Sequence, residues 1–146
     1  MRKAAILAVI SLLTLPALSV TLAQDEPERV TVQHILIAFK GSLPDPKVTR
    51  SREEAEKLAL QVFERAKAGQ DFAAMVKMYT NDSYPGIYKM TNRDVTPDRS
   101  KQEYSRTGMV RAFGDVGFSL EVGGVGLAVY DSATSKYGWH IIKRLE

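Results

Sequence analysis

Residues 30–39, VTVQHILIAF, are β-branched or aliphatic almost throughout, with Gly41 and Pro44 just beyond. This pattern predicts a strand. Alternation along a strand puts Val32, His34 and Leu36 on one face, and Ile35, Ile37 and Phe39 on the other. Residues 40–50, with two prolines and a glycine, read as a loop. The period then changes. Ser51 and Glu54 have capping-box spacing, and Ala55, Leu58, Ala59, Val62, Phe63 and Ala66 recur at helical intervals. Gly69 closes that helix. Asp71 can cap a second one, with Phe72, Val76 and Tyr79 on one face. NDSYPG, at 81–86, is turn chemistry. From Tyr88 to Arg106 no period is clear, which predicts a long polar loop with a short helix around Asp98–Tyr104. A loop of that length inside a compact domain is often functional. Met109, Ala112, Phe113, Val116 and Leu120 are again spaced helically and predict a third helix over 108–120, weakened by Gly114 and Gly117. After the EVGGVG turn, 126–132 and 137–145 read as two strands. Strand, helix, helix, loop, helix, strand, strand is the order of an α+β domain with helices covering one small sheet.

The N-terminus has a different character. Arg2 and Lys3 precede a stretch without charge from Ala4 to Ala23. Residues 1–23 therefore read as a secretory signal peptide, and Pro16 and the small Ala23 favour cleavage there. The competing reading is a retained membrane anchor, since the stretch is about the length that spans a bilayer. Either reading puts the rest of the chain outside the cytoplasm, exported to a periplasmic or extracellular setting. Polar residues 24–29 read as a linker and 30–146 as one folded domain. The 146 residues suffice for one core.

Composition excludes several chemistries. There is no cysteine, so disulfides, thiolate nucleophiles and thiolate metal sites are out. Two histidines without metal-ligand spacing do not make a zinc site without help from carboxylates, and no metal site is expected. The net charge of +3 includes Arg2 and Lys3; without residues 1–23 it falls to +1, from 18 basic and 17 acidic residues. That is too little for a nucleic-acid partner, which needs a concentrated basic face.

The two histidines occupy matching settings, QHILI near the start and YGWHIIK near the end, each opening an aliphatic strand. Taken singly, each reads as an ordinary core residue. With TRSREEAEKLA, AGQDFAAMVKMYTNDS and GMVRAFGDVGFSL between them in this order, the chain resembles the parvulin family of peptidyl-prolyl cis/trans isomerases over about residues 30–146. The resemblance implies an α+β fold with a small, about four-stranded, mostly antiparallel sheet and three to four helices packed around it. It implies that the first and last strands lie side by side near the middle of that sheet. It also implies site residues: His34 and His140 as the paired histidines, Asp82 at a position where members carry Asp or Cys, and Ser135 at a hydroxyl position beside the histidine network. Met109, Phe113 and Phe118 would wall a proline-binding pocket. The implied activity is rotation about X-Pro bonds, without a cofactor, on proline-containing polypeptides. The alternative is a peptide-binding or chaperone domain without turnover. A membrane contact is expected only if residues 1–23 are retained. The chain departs from the family where a short glycine-rich turn and strand would stand: SYPGIYKMTNRDVTPDRSKQEYSRTG replaces it. Ile87, Tyr88 or Met90 is expected to supply the pocket wall normally drawn from there.

Overall fold

The first aliphatic run becomes β1 (Arg29–Ile37) in the computed structural model, which describes residues 25–146. The expected signal segment, 1–23, lies outside the described residues. The last run becomes β5 (Trp139–Arg144), antiparallel to β1, with Leu36 opposite His140 and His34 opposite Ile142. Both histidines therefore project from one face, on diagonal positions of neighbouring strands. Gly138 leads into β5 at φ +138°, and a Cβ there would stand 2.1 Å from the Ile37 carbonyl oxygen. Only glycine permits so close an approach of the two chains.

The other face of β1 and β5 presents Ile35, Ile37, Trp139 and Ile141 to α1 (Arg52–Lys67) and α2 (Phe72–Tyr79). The predicted capping box starts α1: Ser51 Oγ accepts from the Glu54 amide, and the Glu54 carboxylate accepts from the Ser51 amide. Ala55, Ala59, Val62 and Ala66 are its buried positions, small enough for the helix to lie close on the sheet. Asp71 caps α2 through the Ala74 amide, as expected. On the histidine face, Val30, Val32 and Ile142 pack against Phe113 and Phe118 of the third helix, α3 (Arg111–Ser119).

The sheet has five strands rather than about four. Its order is β3-β2-β1-β5-β4, with β2 Ile87–Thr91, β3 Glu103–Ser105 and β4 Val125–Ala128. Three pairings are antiparallel and β2–β3 is parallel. The additional structure comes from the segment expected to be a loop. β2 hides in sequence because Lys89 and Ile87 point to solvent while only Met90 and Thr91 are fully buried. β3 is three residues long, and its Glu103 side chain accepts from the Asp98 amide and from Arg29. The short helix expected around Asp98–Tyr104 is a 3₁₀ turn at Arg99–Lys101, and another spans Arg106–Gly108. Consequently α3 begins at Arg111, and Met109 precedes it in extended backbone, φ −92° and ψ 166°.

Arg106 ties these pieces together. Its side chain is 6% exposed and donates to Glu26 at 2.6 Å, Asn92 at 3.0 Å and Asp115 at 2.8 Å. Its guanidinium also lies 4.7 Å from the Phe118 ring centroid. The expected linker is thus anchored: Glu26 is held against α3, and β1 starts at Arg29. Among the described residues no helix is long and apolar enough to cross a membrane.

Candidate active site

His34 sits on the central strand, almost fully buried, and its position is set from both sides. The 81–86 turn crosses over it, and the His34 amide donates to the Gly86 carbonyl at 2.9 Å. Gly86 has φ +68°, and a Cβ there would lie 2.7 Å from the His34 carbonyl oxygen, so the turn needs glycine at this point. Thr80 and Asn81 stitch the start of the turn to the end of β1. The Thr80 hydroxyl accepts from the Leu36 and Asp82 amides, and Asn81 Oδ1 accepts from the Ala38 amide. Arg50, from the loop after β1, donates to that same Asn81 oxygen and to the Ala38 carbonyl.

This stitching delivers Asp82 to His34. His34 Nε2 and Asp82 Oδ2 are 2.9 Å apart, and His34 Nδ1 lies 3.2 Å from His140 Nδ1. The rings of the two histidines are near-parallel, 13° apart in plane. A carboxylate can only accept, so His34 carries a proton on Nε2. A neutral His34 then offers a lone pair at Nδ1, and His140 must donate to it from its own Nδ1. That leaves His140 Nε2 as a lone pair, buried and without a partner among the described residues. Burial, with His34 alongside, pushes the His140 pKa down to about 3 despite the opposing pull of Asp82. The hydrogen bond from His34 holds the Asp82 carboxyl well below the usual carboxylate range, against the opposing effect of its partial burial. Ionised Asp82 and neutral His140 suit this chain of hydrogen bonds.

The chain borders a cavity of about 400 Å³, with Met109, Val110, Phe113 and Tyr88 on one side and Leu36, Leu43, Pro44 and Tyr137 on the other. Phe113 stands edge-on to His34, with centroids 5.0 Å apart, and 5.6 Å from His140. Of the residues expected in the site, His34, Asp82, His140, Met109 and Phe113 come together here. Phe118 and Ser135 do not line this cavity. Phe118 lies in the core beneath the Arg106 guanidinium. Ser135 is fully buried, and its hydroxyl donates to the Gly138 carbonyl at 2.9 Å, shaping the turn before β5. Of the three candidates for the missing wall, Tyr88 supplies it; Ile87 is exposed and Met90 is core. The sequence did not show what else Tyr88 does. Its hydroxyl donates to Asp82 Oδ2 at 2.8 Å, the same oxygen that faces His34. Partial burial and the Asp82 charge hold that phenol well above its usual pKa, so it stays a donor. The only signal was the alternation of Tyr88 and Met90 against Ile87 and Lys89.

The family model described as the PPIC-type PPIASE domain matches residues 17–146. The chain is 32% identical over 100 residues to foldase protein PrsA 4 of Bacillus cereus, covering 68% of this chain and 31% of that one. It is 31% identical over 125 residues to chaperone SurA of Chromohalobacter salexigens, covering 82% of this chain and 24% of that one. It thus spans about a third or less of these relatives. The solution structure of TbPIN1 superposes with a TM-score of 0.56 at 22% identity, covering 82% of this chain and 98% of that one. With the family's match running through both histidine strands and the cavity between them, the chain belongs to the parvulin-type (PPIC-type) peptidyl-prolyl cis/trans isomerases.

Proposed function

We propose that the protein is an exported peptidyl-prolyl cis/trans isomerase that speeds rotation about X-Pro bonds in extended, proline-containing segments of folding chains. The observation that carries this reading is the Asp82–His34–His140 chain set against an apolar cavity. A planar amide owes its barrier, about 18–20 kcal/mol, to C–N resonance that places charge on oxygen and nitrogen. The twisted state has lost that charge separation. A proline ring held between Met109 and Phe113, away from water, therefore lies where the twisted amide is favoured relative to the planar one. In this reading the histidines and Asp82 fix the shape and polarity of the floor rather than exchange protons with the substrate. Export rests on the character of residues 1–23, and the foldase and chaperone relatives support a folding role. The test is a protease-coupled assay on short X-Pro peptides. Acceleration over the uncatalysed rate is expected. Tight binding of unfolded chains with no acceleration would replace the enzyme by a peptide-binding chaperone domain.

Tyr88 gives this reading a finer check. Tyr88→Phe keeps the ring in the wall and removes one donor from Asp82. The expected loss of stability is about 1 kcal/mol, the lower range for a partly exposed hydrogen bond to a charged group. Asp82 then titrates closer to its ordinary range, so the acid limb of the turnover profile moves to higher pH. An unmoved acid limb, followed downward from pH 4, would mean that Asp82 ionisation does not govern the site.

A further inference from the structure

Met109 has a second side. Across it from the apolar cavity lies another, of about 300 Å³, lined by Arg93, Arg106, Thr107, Met109, Arg111 and Asp115. Three guanidiniums converge on one carboxylate there. Asp115 lies 2.8 Å from Arg106, 3.2 Å from Arg93 and 3.7 Å from Arg111. Arg106 is buried and already committed, between Glu26 and Asp115. Arg93 and Arg111 are left to share what remains of Asp115, and their side chains are 59% and 76% exposed. Most of their donors face solvent. Arg111 is also the first residue of α3, whose N-cap Val110 offers no side-chain oxygen and whose first turn has no acidic residue. The positive end of that helix adds to the same field.

We propose that this second cavity is a subsite for an acidic side chain of the client, an aspartate or glutamate about two to four residues from the proline. The assignment rests on the isomerase reading for which cavity holds the proline. The spacing follows from the shared wall: Met109 lines both cavities, and an extended chain advances about 3.3 Å per residue. A guanidinium pair presents several N–H donors in the plane that a carboxylate needs. Proline segments with a nearby acid are then selected over neutral or basic ones.

The test is direct binding, which reads the subsite whether or not the peptide is turned over. Fluorescently labelled proline peptides would carry Glu, Gln or Lys at each position two to four residues before or after the proline. Polarisation at low salt is expected to show about fivefold to tenfold tighter binding for Glu than Gln at one or two of those positions, shrinking as salt rises. Arg93→Gln with Arg111→Gln should bring Glu peptides to the level of Gln peptides. Lys40→Gln with Lys47→Gln removes the same charge elsewhere and should keep the preference. Equal binding of Glu and Gln peptides at all positions overturns the subsite. So does a preference lost equally in both double variants, which would mark it as the field of the whole protein. Absence of turnover with the Glu preference intact would instead sink the isomerase reading and leave the acidic subsite standing.

Discussion

Phe113→Ala is expected to cost about 3 kcal/mol of stability and to abolish most isomerase turnover. The stability cost follows from burial. Phe113 is 2% exposed and packs with Val30, Val32, Met90 and Ile142, and truncating such a ring costs about 3–5 kcal/mol where the site cannot collapse. The open cavity on one side lets neighbours relax, which places the expectation at the lower end. The turnover loss follows from what the ring touches. It stands edge-on to His34 and to Tyr88, and it forms the cavity wall beside Met109. Phe113 is thus both a core residue and part of the cavity wall. Stability alone cannot separate them, so Phe113→Leu is the decisive variant. It keeps much of the buried volume and loses the flat wall. Thermal melts should show a modest loss, and turnover of X-Pro peptides at saturating enzyme stability should still fall by about tenfold or more. Near-normal turnover in Phe113→Leu would remove Phe113 from the site and leave it a core residue.

Phe113 also shows how far the sequence could be read. Its helical relation to Val116 was legible because three and four residues bring side chains to one face. The same rule shows why Phe118 failed as a pocket residue. Five residues turn a helix through about 500°, which leaves Phe118 about 140° away from Phe113. Strand faces were legible for the same kind of reason: Val32, His34 and Leu36 alternate against Ile35 and Ile37, and Ile35 and Ile37 pack together in one cluster while Val32 and Leu36 pack in others. The meeting of His34 with His140 was not in any local pattern. It depends on an antiparallel register between strands 106 residues apart, and only the family resemblance supplied it. The 86–108 segment was opaque because its order is made by distant partners. β2 takes its place from β1, β3 from β2, and Arg106 from Glu26, Asn92 and Asp115. None of these leaves a period in the sequence, and so Tyr88, at the start of that segment, was one of three candidates rather than the ligand of Asp82.

Buried His140 should make the fold unusually sensitive to acid above the carboxylate range. His140 is held neutral in the folded protein, with its pKa pushed down to about 3, whereas an unfolded histidine titrates near 6.5. Between those values the unfolded chain binds a proton that the folded one refuses. Stability therefore rises with pH across the window from about 3 to 6.5 and is fully present above it. The slope for one such proton is about 1.4 kcal/mol per pH unit. Asp82 acts in a different window. Its folded pKa is depressed, so the stability it contributes is complete above its unfolded value, about 3.9, and is lost only below that. Between pH 4 and 6.5 Asp82 therefore adds little, and comparison with a His140 variant cancels what the glutamates contribute. His140→Asn keeps a side-chain N–H that can face His34 Nδ1 and removes the titrating group, while His34 and Asp82 remain in both proteins. The variant is expected to begin less stable at pH 7, from its smaller buried side chain, and then to lose less on acidification. The two stability curves should converge or cross as the pH falls toward 4. Parallel curves would mean that His140 titrates normally in the folded protein. The buried Nε2 would then take up a proton as the pH falls through the ordinary histidine range and would need an acceptor, while Nδ1–H went on donating to His34 Nδ1.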